Sequence, residues 1–216
     1  MPPSSAPTTL AVIIPAFNEG ETIARVVHTA LELDCQVIVV SDGSEDETAE
    51  RATEAGALVV RLESNQGKGA ATYVGLQATQ AEVVILLDGD LLGLSKMHLD
   101  SLIDPVVSGE LDMAIGIFDS GGALTDFGNK VTPHLSGQRA CRRAWMLSVP
   151  RLAQERWPEP AITDHLKRSG IRWAFVPLKG LSQVMKEEKR GFWEGIKHRS
   201  KMYFQILGYR LRRDDK

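Results

Sequence analysis

Val83-Val84-Ile85-Leu86-Leu87-Asp88-Gly89-Asp90-Leu91 is the stretch from which the rest of the chain can be read. Its five leading apolar residues, three of them β-branched, are too few for an ordinary helix and suit a strand covered on both faces. The run stops in two carboxylates separated by one glycine, and Gly89 permits both a tight turn and the close approach of a ligand. In an open α/β sheet, ligands sit beyond the carboxyl ends of the strands, where this reading puts Asp88 and Asp90. Carboxylates spaced in this way offer hard oxygen donors to Mg2+ or Mn2+, ions that bind through one or two carboxylates together with substrate phosphates. The competing reading is an acidic turn after a core strand, and the flanking sequence has to decide.

Upstream, Leu10–Ile14 predicts a first strand closed by Pro15, Gln36–Val40 a second and Ala57–Arg61 a third. Between the first two, Ile23, Val26, Val27, Ala30 and Leu33 recur on one helical face. Asn18 and Glu21 before that face have the spacing of a capping box. Ser44 and Glu47 repeat the spacing ahead of a helix running to about Ala55, with Gly56 at its end. Asn65-Gln66-Gly67-Lys68-Gly69 opens a third helix that reaches about Ala78. Downstream come a helix at Lys96–Val107, a strand at Met113–Ile117 and a long glycine-rich substrate loop over Asp119–Ser136. Gly137-Gln138-Arg139-Ala140-Cys141-Arg142-Arg143 reads as the start of a helix, Ala161–Ser169 as another ending at Gly170, and Ile171–Pro177 as the last strand. Alternation of this kind predicts an α/β fold with a mostly parallel central sheet and helices on both faces. The polar clusters Pro15–Glu19, Ser41–Ser44, Asn65–Gly69 and Asp88–Asp90 then gather along one edge, as a nucleotide-binding site requires.

With 216 residues, 43% apolar and 25% charged, the chain suits one globular domain. Residues 1–185 carry 15 Lys and Arg against 23 Asp and Glu, whereas residues 186–216 carry 10 against 5. An acidic body with a basic tail points to a local anionic partner and away from nucleic acid. Residues 1–8 read as a disordered leader, 9–185 as the main domain and 186–216 as a basic amphipathic helix or tail. In the tail, Trp193, Ile196, Tyr203, Leu207 and Leu211 recur at helical spacing among basic residues. That pattern fits a peripheral membrane contact, with a packed helix or a homodimer contact as the alternatives. Cys35 and Cys141 form neither a disulfide framework nor a metal motif, which predicts a cytoplasmic protein. No apolar run approaches the roughly 20 residues of a membrane span. A nicotinamide dehydrogenase is disfavoured, because no Gly-x-Gly-x-x-Gly follows the first strand.

Taken in order, Pro15-Ala16-Phe17-Asn18-Glu19, Ser41-Asp42-Gly43-Ser44-x-Asp46-x-Thr48, Gly67-Lys68-Gly69 and Asp88-Gly89-Asp90 resemble the family 2 glycosyltransferases, most strongly over residues 10–145. The resemblance implies the GT-A fold, a Rossmann-like sheet, and a metal-dependent transfer of a sugar from a nucleotide-diphosphate sugar, with uridine as the nucleoside. It implies that Pro15, Ala16, Phe17 and Glu19 line the nucleotide pocket and that Asp42 accepts the N3–H of the pyrimidine, which neutral cytosine lacks. The same resemblance implies that Lys68 lies near the nucleotide or diphosphate, that Asp88, with Gly89, faces the ribose or a metal-bound water, and that Asp90 binds Mg2+ or Mn2+. Breaking a sugar–phosphate bond releases a diphosphate whose charge a cation neutralises. The Gln-x-x-Arg-Trp signature of processive synthases is absent from the sequence, which favours a single transfer.

The acceptor half carries more alternatives. An inverting member needs a carboxylate base, for which Glu159 and Asp164 qualify; a retaining member needs none, and both residues also suit a helix start. Gln183 stands where many relatives complete the metal shell with histidine, and His134, His165 and His198 are the other options. Gly137, Gln138, Arg139 and Arg142, with Arg143, suit an acceptor phosphate at a helix start or plain surface charge. The acceptor is accordingly expected to be a small molecule, phosphorylated or lipid-linked. The competing functions are a sugar-phosphate nucleotidyltransferase, against which the acidic Pro15–Gly20 segment argues, and a non-catalytic nucleotide-sugar-binding module.

Overall fold

Strands whose central residues are all apolar can be stable only where both faces are covered. β1 (Leu10–Ala16), β2 (Gln36–Asp42) and β4 (Val83–Leu86) meet that condition, and Val12, Ile13, Val39, Val40 and Ile85 lose all solvent exposure. The computed structural model describes residues 8–119 and 136–184. It divides into two units, Met1–Ser182 and Gln183–Lys216, of which the second is described only at Gln183 and Val184. The expected leader, the substrate loop at 120–135 and the basic tail, with His134 and His198, therefore lie outside the described residues.

β3 (Leu58–Leu62), β6 (Met113–Asp119), β7 (Arg139–Arg142) and β8 (Trp173–Lys179) complete a seven-stranded sheet in the order β3-β2-β1-β4-β7-β6-β8. Every pairing is parallel except those that β7 makes with β4 and β6. The chain winds outward from β1 to β3 and then crosses back to β4, so a switch point falls between β1 and β4. Register keeps the carboxyl ends level, with Ala16 opposite Ser41 and Asp42 opposite Leu62. A short strand, β5 (Leu91–Leu92), follows Asp90 directly.

Helices α1 (Ile23–Leu31), α2 (Thr48–Glu54) and α4 (Lys96–Val107) cover one face, where Ile23, Val27, Leu99 and Leu102 join Val12, Ile14 and Ile85 in the main core. The other face, built on Ile38 and Val40, receives Ala71 of α3 (Lys68–Gln77). The alternation of Ile13 and Ile14 between these faces is the period-2 geometry of a strand. Short α5 (Arg143–Leu147) and α6 (Glu159–Ser169) follow β7, and Gly170 closes α6 with φ +64°. The mostly parallel sheet with helices on both faces is as the sequence pattern predicts. Among the described residues no helix is long and apolar enough to cross a membrane.

Three local expectations are corrected. Of residues 137–143, expected to start a helix, only Arg143 is helical, opening α5: Arg139–Arg142 is β7, wedged antiparallel between β4 and β6, where Arg139, Ala140 and Cys141 are buried. Pairing on both sides outweighs the weak local preference of such a short segment. Asn18 does not cap α1, which begins at Ile23 after Thr22; Asn18 adopts φ +54° and binds across to the next loop. Ser44 and Glu47 form no capping box either, since the Ser44 Oγ accepts the Asn18 N–H and Asp46 accepts the Thr48 N–H.

α3 can approach β1 only because Gly75 has no side chain: a Cβ there would stand 2.4 Å from Ile13 Cγ2 and 3.3 Å from Val40 Cγ2. Gly75→Ala should therefore lower stability by about 1–3 kcal/mol in urea denaturation, the usual cost of overpacking. Helix propensity alone predicts a gain of roughly 1 kcal/mol, so the sign of the change decides between the two effects.

Candidate active site

The loops after β1 and β2 are tied together by side chains reaching for backbone N–H groups. Asn18 N–H donates to Ser44 Oγ at 3.1 Å and Glu45 N–H to Asn18 Oδ1 at 2.9 Å. Glu19 N–H donates to Thr48 Oγ1 at 2.8 Å, and the Asp46 carboxylate accepts the N–H groups of Gly20 and Thr48, both at 3.0 Å. The Thr48 hydroxyl donates to Asp46 as well. This clasp holds Glu19, buried at 8% exposure, beneath the Asp88-Gly89-Asp90 turn: a Cβ on Gly89 would lie 2.4 Å from Glu19 Oε2. Asp90 is buried too, at 7% exposure.

Asp42 closes the next junction. Gln66 N–H donates to its Oδ1 at 2.7 Å and Gly67 N–H to its Oδ2 at 2.8 Å, which ties the end of β2 to the start of α3. The glycines around Lys68 serve packing and leave no open phosphate cradle. Lys68 N–H donates to Arg156 O and Gly69 N–H to Glu155 O, and a Cβ on Gly69 would lie 2.2 Å from the carbonyl oxygens of Glu155 and Leu152. Gly67 takes φ +103°, a conformation that favours glycine.

From this docked helix start, Lys68 reaches across the edge. Its Nζ lies 2.5 Å from Asp88 Oδ1 and donates to Glu159 Oε1 at 2.7 Å. Gln138 Nε2 donates to the other Asp88 oxygen at 2.7 Å. Gly137 makes the room, since a Cβ there would fall 2.6 Å from both Asp88 oxygens and 2.7 Å from Lys68 Nζ. Burial by itself would lower the lysine pKa, but the charges of Asp88 and Glu159 outweigh it and hold the value raised. The ordinary value is 10.5, so the stability linked to the lysine's own titration is undiminished up to that pH and is lost only as pH climbs beyond it. Arg139, buried at 1% exposure, has its pKa pushed down to about 10 by burial, with the charge of Glu159 opposing. Its Nε donates to Ser136 O at 3.0 Å. A small pocket at this edge is lined by Pro15, Lys68, Gly137, Arg139, Pro158 and Glu159.

Of the residues singled out in the sequence, the fold brings Glu19, Asp42, Lys68, Asp88, Gly89, Asp90, Gly137, Gln138 and Glu159 to this edge, with Pro15 and Ala16 at the end of β1. Asp164 stands apart. It lies five residues beyond Glu159 on α6, about 140° around the helix, and pairs with Arg168 at 2.8 Å. Arg142 pairs in register with Val83, at the opposite end of β4 from Asp88, and Arg143 donates to Leu76 O. Antiparallel β7 carries both away from the edge, which corrects their reading as acceptor ligands. His165 lies 2.9 Å from Ser148 Oγ and packs on Trp145, a structural setting. Gln183 opens the second unit and is described by itself, in the two-residue strand Ser182–Gln183. Sequence reasoning missed the clasp roles of Asp46 and Thr48, for which the Asp-x-Thr spacing before α2 was the available signal.

A model of the family described as Glycosyl transferase family 2 matches residues 11–167. The chain is 34% identical over 116 residues to the glucosyl-3-phosphoglycerate synthase of Mycolicibacterium smegmatis, covering 49% of this chain and 38% of that one. It thus spans well under half the length of that relative. It is 36% identical over 192 residues to Glycosyltransferase AglJ of Haloferax volcanii, covering 79% of this chain and 62% of that one. The crystal structure of glucosyl-3-phosphoglycerate synthase from Mycobacterium tuberculosis in complex with Mn2+, UDP-glucose and phosphoglyceric acid superposes with a TM-score of 0.67 at 26% identity, covering 82% of this chain and 71% of that one.

Replacing Lys68 by Met leaves Asp88 and Glu159 facing each other without their cation. Stability should fall by about 2–4 kcal/mol, somewhat below the loss for a fully buried pair because the Lys68 side chain keeps 24% exposure. Lys68→Arg, which keeps a cation between the carboxylates, should recover part of that loss in urea denaturation; an equal loss in Lys68→Arg would place it in packing.

Proposed function

The chain belongs to glycosyl transferase family 2, and from that premise we propose that it transfers a sugar from a uridine-diphosphate sugar to an acceptor hydroxyl with the aid of Mg2+ or Mn2+. One observation carries the reading: at the carboxyl edge beside the switch point, Lys68 links Asp88 of the Asp-Gly-Asp turn to Glu159, which the sequence assigns to the acceptor half. The solved synthase that superposes on this chain holds Mn2+ and UDP-glucose, which supports the donor class.

The carboxylates suit such an ion by chemistry. Asp88 and Asp90 present hard oxygens, and no group of three or more His, Cys, Asp or Glu side chains forms an all-protein cage among the described residues. This is the donor set of an ion that takes its remaining ligands from water and substrate phosphates. When bound, the ion supplies neutralisation of charge on the released diphosphate. Pro15 and Ala16 form the nucleotide wall. Asp42 accepts two backbone N–H groups, and its remaining lone pairs receive the uracil N3–H. Glu159 accepts the proton of the acceptor hydroxyl, a role its place in the cluster favours over Asp164. The acceptor is a phosphorylated or lipid-linked molecule, the former supported by the phosphoglyceric acid bound in the solved synthase.

Calorimetry tests the donor site. UDP should bind more tightly with Mn2+ than without it, CDP should bind less tightly than UDP, and Asp90→Ala should remove the dependence on metal. Equal UDP affinity with and without Mn2+ rejects the metal reading.

Turnover with an acceptor tests the base. Glu159→Gln should lose on the order of 10²–10⁴ in turnover, and Asp164→Asn should stay near the wild type. Near-normal turnover in Glu159→Gln rejects a base at that position.

A further inference from the structure

Lys68 bridges Asp88 of the Asp-Gly-Asp turn and Glu159 of α6, and this geometry has a thermodynamic consequence. A lysine ammonium is a rotatable point charge with three N–H donors, of which Asp88 and Glu159 engage two. The two partners are held differently. Asp88 follows the core strand β4 and has its second oxygen fixed by Gln138. Glu159, at the first turn of α6, has Lys68 as its hydrogen-bond partner and also acts on the buried Arg139 through its charge. Gly137 lets the backbone run close beside the ammonium, where a Cβ would fall 2.7 Å from Lys68 Nζ.

We propose that Lys68 couples donor to acceptor: Glu159 and the donor's diphosphate compete for its ammonium, so that the arriving donor draws Lys68 away while it stays anchored on Asp88, and Glu159 is released to the acceptor. The inference rests on the donor-site reading above. Its physical content is linkage. A carboxylate that occupies the ammonium in the free protein weakens diphosphate binding, and by the same factor a bound diphosphate weakens the hold of Lys68 on Glu159. The release of Glu159 then follows donor binding, which withholds the acceptor-side carboxylate from water until a sugar donor is in place.

Nucleotide binding without acceptor reads this coupling directly, and it is independent of turnover. With Mn2+ present, Glu159→Gln should bind UDP about 3–10 times more tightly than the wild type, since a neutral amide holds the ammonium with roughly half the strength of a carboxylate. Uridine, which has no phosphate, should bind both alike. In a Lys68→Met background the same Glu159 substitution should leave UDP affinity unchanged; tightening that persists there is simple charge repulsion and overturns the coupling. Should Lys68→Met not fold, Glu159→Asp decides, because it keeps the charge and withdraws the carboxylate by one methylene. Tighter UDP binding by Glu159→Asp supports competition for the ammonium, and unchanged binding overturns it. UDP affinity indifferent to Glu159→Gln overturns the coupling alone, whereas a wild-type chain that binds no UDP overturns the donor reading with it.

Discussion

An ammonium between two carboxylates, Lys68 with Asp88 and Glu159, joins three elements that are remote in sequence: the start of α3, the end of β4 and the first turn of α6. Taking such charges out of water is expensive, and the arrangement is stable only when each finds a partner. Much of the surrounding structure serves that condition. Gly137 clears the space, Gln138 orients Asp88, and the start of α3 is docked on the carbonyl groups of Glu155 and Arg156, so Lys68 leaves the backbone from a fixed point.

A second constraint acts through the backbone. Loops at the carboxyl edge of a parallel sheet expose N–H groups that need partners. Here acidic and hydroxyl side chains supply them from the neighbouring loop: Asp46 for Gly20 and Thr48, Thr48 for Glu19, Asp42 for Gln66 and Gly67. The acidic character of this edge is thus largely structural. Asp42 and Asp46 are both held by backbone N–H groups, but Asp42 ends a strand of the sheet whereas Asp46 lies in the loop before α2.

Rigidity follows from the same contacts. Glu19 lies under Gly89 and is itself held through Thr48 and Asp46, so the Asp-Gly-Asp turn rests on the β2 loop as much as on its own strand. Preorganisation of this kind holds carboxylates in place without reorganisation when charge develops nearby.

The sequence by itself determined the parallel strands, the helices that cover them and the edge at which the polar clusters gather. Apolar runs with polar ends report burial, and burial is a property each segment carries locally. The motifs Asp88-Gly89-Asp90 and Gly67-Lys68-Gly69 were legible for the same reason, as was their membership of a glycosyltransferase family. What only the tertiary structure decided was pairing. Arg139–Arg142 has no strong preference of its own and became a strand because β4 and β6 offered it hydrogen bonds on both sides. Asn18 and Ser44 read as caps because capping is the local use of their side chains, but a neighbouring loop offered better partners. Glu159 and Asp164 are equivalent as carboxylates on one helix, yet it is Glu159 that meets Lys68, 91 residues away in the chain, while Asp164 pairs with Arg168. Local pattern encodes which groups must be buried or capped; which distant group meets each of them is settled only when the elements pack.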